Sequence, residues 1–301
     1  MSISVSASDG ATISRLAPVK INLALHVTGQ RANGYHELEM IVAFGDFGDH
    51  ISVTPALHDD FTVSGYYAPF IPLNNDNLVL KARDLLRTQT PSKCPPVHIH
   101  LEKKLPIAAG IGGGSTDAAA ALTALNELWQ LDLPYEALLE LGLHLGADVP
   151  MCLHSQQNGA PLLVRGIGED LSPLVEFPAL HILLINDGTA LATPTIFKAL
   201  NKRDNPSLIA PNAFQSIDEV CAYLRKTRND LFRPAETLAP QLQSRLDELA
   251  ASGADFVQMS GSGATCFAIF SSCENMLQAK QQIRQAHPDW FVVTTQTYGN
   301  H

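Results

Sequence analysis

The segment Pro106-Ile-Ala-Ala-Gly-Ile-Gly-Gly-Gly-Ser-Thr116 decides how this chain is organised. Gly110, Gly112, Gly113 and Gly114 crowd together and run directly into an alanine-rich stretch ending near Trp129. There Ala118, Ala121, Leu122, Leu125, Leu128 and Trp129 recur at helical spacing, so the glycine turn opens a helix. Glycines let successive N–H groups point inward and let an anion reach the main chain without meeting a Cβ atom. A helix start adds unpaired N–H groups and the positive end of the dipole. Ser115 and Thr116 place hydroxyls beside them. This is the physics of a phosphate cradle, with a flexible surface turn as the competing reading.

Two familiar cradles are excluded. A Walker loop ends in Gly-Lys-Ser/Thr, and the chain contains no Gly-Lys pair. A dinucleotide fingerprint starting at Gly110 needs glycine at the position of Ser115.

Working outward from the loop, residues 17–28 are apolar and partly alternating, and they predict a strand followed by a turn at 29–34. Further strands are expected at 38–44, 51–54 and 96–102, with a short helix near 78–86. Beyond the loop helix, a second helix is expected at 135–145, stopped by Gly146. The polar stretch 154–160 reads as a connection. After it come a strand at 180–185 and helices at 216–225 and 239–251. The chain closes with strand 256–259, a glycine turn, strand 265–270, helix 274–285 and strand 290–295. That order predicts an α+β fold of two domains, 1–157 and 158–301. The second glycine loop, SGSGAT from Ser260 to Thr265, reads simply as a turn between strands.

Composition narrows the partners. The 301 residues allow two domains of roughly 150 each. With 46% hydrophobic and 17% charged residues, the chain has the makings of a globular core. A net charge of -10, with no long run of Lys or Arg, lacks the basic stripe that nucleic acid requires. The cysteines (Cys94, Cys152, Cys221, Cys266, Cys273) are scattered and never form a C-x-x-C pair, which suits a reducing cytoplasm. The polar start of the chain lacks the order of a signal peptide, and no apolar run reaches the ~20 residues of a membrane span. No membrane partner is expected.

Phosphoryl transfer to a small alcohol needs a cradle, a proton acceptor and cations near the transferring group. Asp148, in Gly146-Ala-Asp-Val-Pro150, stands among small and apolar residues just past a helix end, where it serves either as a base or as a turn residue. Lys20 interrupts an apolar strand, so it either faces solvent on an edge or meets a carboxylate. Asn22 shares its face by period two. Tyr35 and His36 follow the turn at Gly34, where a ligand contact is plausible. His98 and His100 alternate on one strand face without a third ligand at metal spacing, and read as structural.

Together these segments resemble the GHMP kinases, whose phosphate loop is of the type P-x-x-x-G-L-G-S-S-A. The resemblance runs nearly end to end through APVKINLALHVTGQRANGYHEL (17–38), the loop at 106–116, LGADVP (145–150), TPTIF (193–197) and MSGSGATCFAIF (259–270). The order K-x-N-L followed by G-x-R-x-x-G-Y-H is similar to the branch acting on a cytidine diphosphate conjugate of methylerythritol. The resemblance implies a cleft between two domains, with ATP along Pro106, Ile107, Ala108, Ala109, Gly110, Ile111, Gly112, Gly113, Gly114, Ser115 and Thr116. It implies Asp148 as general base with Lys20 as its charged partner. It places Asn22, Tyr35, His36 and Phe197 at the cytidine end of the small-molecule acceptor. Mg²⁺ is expected to arrive as MgATP, with no protein ligands assigned. Ile111 and Thr116 stand where the family usually has Leu and Ser. Two other readings stay open: a related kinase for mevalonate, its phosphates or homoserine, and a non-catalytic ATP-binding module.

Overall fold

A computed structural model describes residues 11–157, 159–209 and 213–299. The chain opens with β1 (Ile13–Gln30) and β2 (His36–Pro55), continues through β3 (Asp60–Ser64), α1 (Leu78–Gln89) and β4 (Val97–Glu102), and enters α2 (Gly113–Leu128). Next come α3 (Tyr135–Leu145), α4 (Val149–Ser155), β5 (Leu162–Gly166), β6 (Asp170–Pro173) and β7 (His181–Asn186). The remainder is α5 (Thr193–Lys198), α6 (Ile217–Leu224), α7 (Phe232–Leu238), α8 (Leu242–Ala251), β8 (Phe256–Met259), β9 (Cys266–Phe270), α9 (Cys273–Ala286) and β10 (Phe291–Gln296).

β2 is the spine of the first sheet. β1 pairs antiparallel along one edge of it. On the other edge β5 takes its first part, Leu38 to Val42, and β4 takes its last part, His50 to Pro55. The strands expected at 38–44 and 51–54 are therefore one strand. The intervening Gly45-Asp-Phe-Gly48 hides the continuity because it breaks the apolar alternation. β3 adds parallel to β4, and β6 closes the other end on β5.

β5 and β6 lie beyond residue 157 yet complete this sheet, so the expected division at 157/158 would cut them from it. The polar stretch read as a connection includes the end of α4 and the approach to β5. We place the division after Pro173, which keeps each sheet whole. The second sheet has the order β10-β7-β9-β8, all antiparallel. The chain end then returns to the first half, where Thr297 bridges Gly45 and the Tyr298 N–H donates to the Phe44 carbonyl at 3.0 Å.

Two apolar layers hold these parts together. Val19, Ile21 and Leu23 of β1, with Ile41 and Ala43 of β2, share one core with Ile182 and Leu184 of β7 and Phe267 and Ile269 of β9. The halves are thus joined by a core rather than by a linker alone. Elsewhere in the first half, Ala118 to Ala121 and Ala124 of α2 are fully buried. Their small side chains let the helix axis approach the sheet closely, which fixes the glycine turn at its start.

Candidate active site

Side-chain caps stabilise several helix starts: Asn77 accepts from the Val79 N–H, Ser216 from Glu219 and Ser272 from Asn275. α2 has none. Its cap residue is Gly112, at φ 71°, and no side chain occupies the N–H groups of the first turn. The loop before it is held from outside by its carbonyls. Those of Ala108, Ala109, Gly110 and Ile111 accept from the Leu191 N–H (3.2 Å), the Thr265 N–H (3.1 Å), the Ser260 hydroxyl (2.9 Å) and the Lys20 N–H (3.1 Å). Turning the carbonyls outward removes the partial charges that would repel an anion.

Two glycines here are required by space as well as by φ. A Cβ on Gly110 (φ +74) would lie 2.3 Å from the Ser260 carbonyl, and one on Gly112 would lie 2.9 Å from the Lys20 Cβ. The loop Ser260–Thr265, expected to be an ordinary turn, is therefore the seat on which the first glycine loop rests. The Ser260 hydroxyl also accepts from the Asn22 N–H at 3.0 Å, tying β1 into the same joint. Complementary smallness in two distant glycine loops was the available signal.

Lys20 meets a carboxylate, not solvent. Its ammonium is 2.7 Å from Asp148 Oδ2, with the lysine side chain 5% exposed and the aspartate 43%. Burial alone would lower the Lys20 pKa; the Asp148 charge and hydrogen bond outweigh that and leave it raised above 10.5. Asp148 stands at the start of α4 but caps nothing with its side chain. Its carboxylate is free for the cleft.

The cleft holds two adjoining cavities, of about 410 and 760 Å³, both lined by Leu38, Ser115, Asp148, Thr193 and Phe197. All of the loop residues 106–116 line the first except Ile111 and Thr116. Ile111 is buried, and the Thr116 hydroxyl donates back into its own helix, to Gly113 at 3.0 Å, so these two support the loop rather than face the cleft. Lys20 and Asn22 line the first cavity; Tyr35 and His36 line the second. Asn22 is thus separated from Tyr35 and His36, while Phe197 reaches both cavities. It lies nearly buried between the Met40 sulfur, 3.2 Å from its amide nitrogen, and Gly261.

In the second cavity His36 stacks on Phe197, with ring centroids 4.8 Å apart and planes 27° apart. Burial, then the Arg203 cation, lower the His36 pKa below 6.5, so the ring is neutral at pH 7. Its Nε2 has no hydrogen-bond partner among the described residues.

Sequence reasoning missed a buried Lys–Asp–Asp triad beside the loop. The Lys103 ammonium contacts Asp49 Oδ2 at 2.5 Å and Asp117 Oδ2 at 2.7 Å, all three groups being buried. Asp49 Oδ1 also accepts from the Lys104 and Leu105 N–H groups. Burial pushes the Asp117 carboxyl up to about 8 against the opposing pull of Lys103. Lys103 and Asp117 line the first cavity, and a Cβ on Gly113 would sit 3.0 Å from the ammonium. Lys103 is one of a pair of lysines after a strand, a pattern that ordinarily marks a solvated strand end. His98 and His100, read as structural, bond to Thr62 at 2.8 Å each.

Comparison with known proteins extends this geometry. The GHMP kinases N terminal domain matches residues 77–156 and the GHMP kinases C terminal domain matches residues 197–289. A Brucella abortus biovar 1 (strain 9-941) protein named 4-diphosphocytidyl-2-C-methyl-D-erythritol kinase is 56% identical over 289 residues, 96% of each chain. One of the same name from Mesorhizobium japonicum is 49% identical over 284 residues, 93% of this chain and 94% of that one. A crystal structure of 4-(cytidine 5'-diphospho)-2C-methyl-D-erythritol kinase has a TM-score of 0.75 at 31% identity, covering 96% of this chain and 100% of that one. A homoserine kinase from Cytophaga hutchinsonii, at 17% identity and TM-score 0.67, shares the fold. Matched in both halves and similar along nearly its whole length to such relatives, this chain belongs to the GHMP kinase family.

Proposed function

We propose that the enzyme transfers the γ-phosphoryl group of ATP to the 2-hydroxyl of 4-diphosphocytidyl-2-C-methyl-D-erythritol, a step of non-mevalonate isoprenoid precursor synthesis. The observation that carries this reading is the position of Asp148. It lines both cavities, the one under the glycine loop and the one holding the His36–Phe197 stack. The triphosphate occupies the first, along residues 106–115, and the cytidylyl end of the acceptor the second. The alcohol then lies at Asp148, where the two cavities meet.

Asp148 accepts the hydroxyl proton as the oxygen attacks phosphorus. Lys20, 2.7 Å from that carboxylate, holds it in place and adds positive charge beside the transferring group. The free N–H groups at the start of α2 hydrogen-bond the phosphate oxygens. Mg²⁺ is taken to enter with the triphosphate. The Ser115 hydroxyl, on both cavity walls, would be one hard oxygen donor to it. When bound, the ion offsets charge on the phosphate oxygens.

The neutral His36 ring, with an unpartnered nitrogen, offers a hydrogen bond to a base edge while Phe197 and Tyr35 supply stacking surface. That favours a nucleoside conjugate over mevalonate or homoserine, which have no ring to stack. The likeness to homoserine kinase at 17% identity and to mevalonate kinase at 16% concerns the fold alone. The free cysteines support a cytoplasmic setting. Among the described residues no helix is long and apolar enough to cross a membrane. The test is ATP consumption with the cytidylylated alcohol, mevalonate and homoserine in parallel, with products identified by mass spectrometry. Turnover confined to either of the last two would overturn the assignment.

A further inference from the structure

The second cavity contains an arginine that no partner claims among the described residues. Arg203 lies in the connection between α5 and α6, and its Nε is buried with no hydrogen-bond partner among the described residues. Arg31 and Arg87, by contrast, spend their guanidinium groups on carboxylates, Arg31 on Glu37 and Glu169 and Arg87 on Asp59. Arg245 also has buried unpartnered nitrogens, but it is paired to Asp187, and Arg203 has no such counterpart among the described residues. Arg203 shares the cavity wall with Lys198, and among the described residues Asp148 is the sole carboxylate of that wall. Two cations thus face a space whose single acid is already paired to Lys20.

The connection that carries Arg203 is pinned. The Asn205 N–H and side-chain amide both donate to the Val27 carbonyl, at 3.1 and 3.0 Å. The Pro206 carbonyl accepts from Arg228 at 2.6 Å, and the Leu208 N–H donates to Glu39 at 2.6 Å. Strands β1 and β2 therefore fix the segment immediately after Arg203. A free surface arginine would stay solvated on a mobile stem. Here the backbone is fixed and the inner nitrogen is withdrawn from water without compensation, a cost that a bound anion removes.

From this arrangement we propose that Arg203 binds the diphosphate of the acceptor and sets the preference for a nucleoside diphosphate conjugate over a nucleoside. The inference rests on the acceptor reading above and adds to it the residue that reads the phosphates. The acceptor's diphosphate joins its base to its alcohol. In the cavity, Arg203 and Lys198 line the same wall as His36 at the base end and Asp148 at the alcohol end. Guanidinium presents N–H donors in a planar fork matched to phosphate oxygens, which a lysine supplies only as a point charge.

The experiment measures inhibition by CDP and by cytidine, each against the cytidylylated acceptor, for the wild type, Arg203→Gln and Arg203→Lys. In the wild type CDP should inhibit far better than cytidine. Arg203→Gln should weaken CDP roughly 10- to 100-fold and raise the acceptor KM to match, the loss expected for one hydrogen-bonded charge. Cytidine inhibition and the ATP KM should hold, and Arg203→Lys should recover part of the CDP affinity. Equal weakening of CDP and cytidine in a variant with wild-type Tm would overturn the proposal, because Arg203 would then only shape the nucleoside pocket. A wild type indifferent to CDP would overturn the acceptor reading itself, a separate result.

Discussion

The ammonium of Lys20 lies 2.7 Å from Asp148 Oδ2, the lysine sealed in the protein and the aspartate open to two cavities. An acid placed this way is held in position by a partner that cannot leave, and its other side stays open to a substrate. Asp148→Asn preserves shape and removes basicity, so turnover should fall by ~10²–10⁴-fold with ATP affinity near normal. Lys20→Met keeps the stem, removes the charge and should also cut turnover. The double variant should be little worse than the worse single one, since groups acting as a unit are strongly non-additive. Steady-state kinetics with ATP binding measured separately decides it. Multiplicative losses would show two useful but independent residues.

The Ser260 hydroxyl accepts from the Asn22 N–H and donates to the Gly110 carbonyl, so one side chain clamps β1 to the phosphate loop. Ser260→Ala leaves both backbone groups buried and unpaired, at about 1–3 kcal/mol each. On a protein of this size each kcal/mol should lower Tm by roughly 2–4 °C. The loop should also hold its N–H groups less well, so ATP should raise the Tm of the variant less than that of the wild type. An unchanged Tm with an unchanged ATP response would remove Ser260 from the clamp.

Much of this was legible in the sequence, for physical reasons. The glycine turn opening α2 was legible because its alanine-rich continuation keeps helical spacing, and the pairing of Lys20 because an ammonium inside an apolar strand demands a partner. What stayed hidden depended on distant pairing. Nothing local to Asp49, Lys103 or Asp117 says that they meet, since β2, the end of β4 and α2 bring them together only in the folded chain. Ser260 and Gly110 are likewise joined by the contact between halves, and a turn of small polar residues looks the same whether it bears on a loop or on water. The short β5 and β6 escaped because Gly-Ile-Gly and flanking prolines resemble a linker.

The Lys103 triad makes stability depend on pH. An unfolded aspartate loses its proton near the ordinary 3.8, whereas burial keeps Asp117 protonated up to about 8. Between those values the folded state binds more protons than the unfolded one, so this residue's contribution to stability declines as pH rises through that window. Asp117→Asn keeps a neutral side chain of the same shape and should flatten the decline. Urea midpoints across the window, taken for both proteins, measure it. Equal slopes would mean that Asp117 is already ionised beside Lys103.

His36 should make nucleoside binding fail in acid. Burial and the Arg203 cation hold its pKa below the ordinary 6.5, so the ring is neutral at pH 7 and its Nε2 is free for the base. A group with a depressed folded pKa contributes stability above its unfolded value and loses it as pH falls through the folded one. Protonation there adds a second positive charge beside Arg203 and weakens the stack on Phe197. Cytidine affinity should therefore drop on the acid side of 6.5, while ATP affinity, set in the other cavity, follows a different course. Cytidine is the right probe because it carries no phosphate to titrate in this range. His36→Gln offers a neutral amide at every pH, so it should bind cytidine more weakly at neutrality but with a flatter acid limb. Calorimetric titration of both proteins across the range reads the two limbs directly. If His36→Gln tracks the wild type in acid, some other group controls the base site.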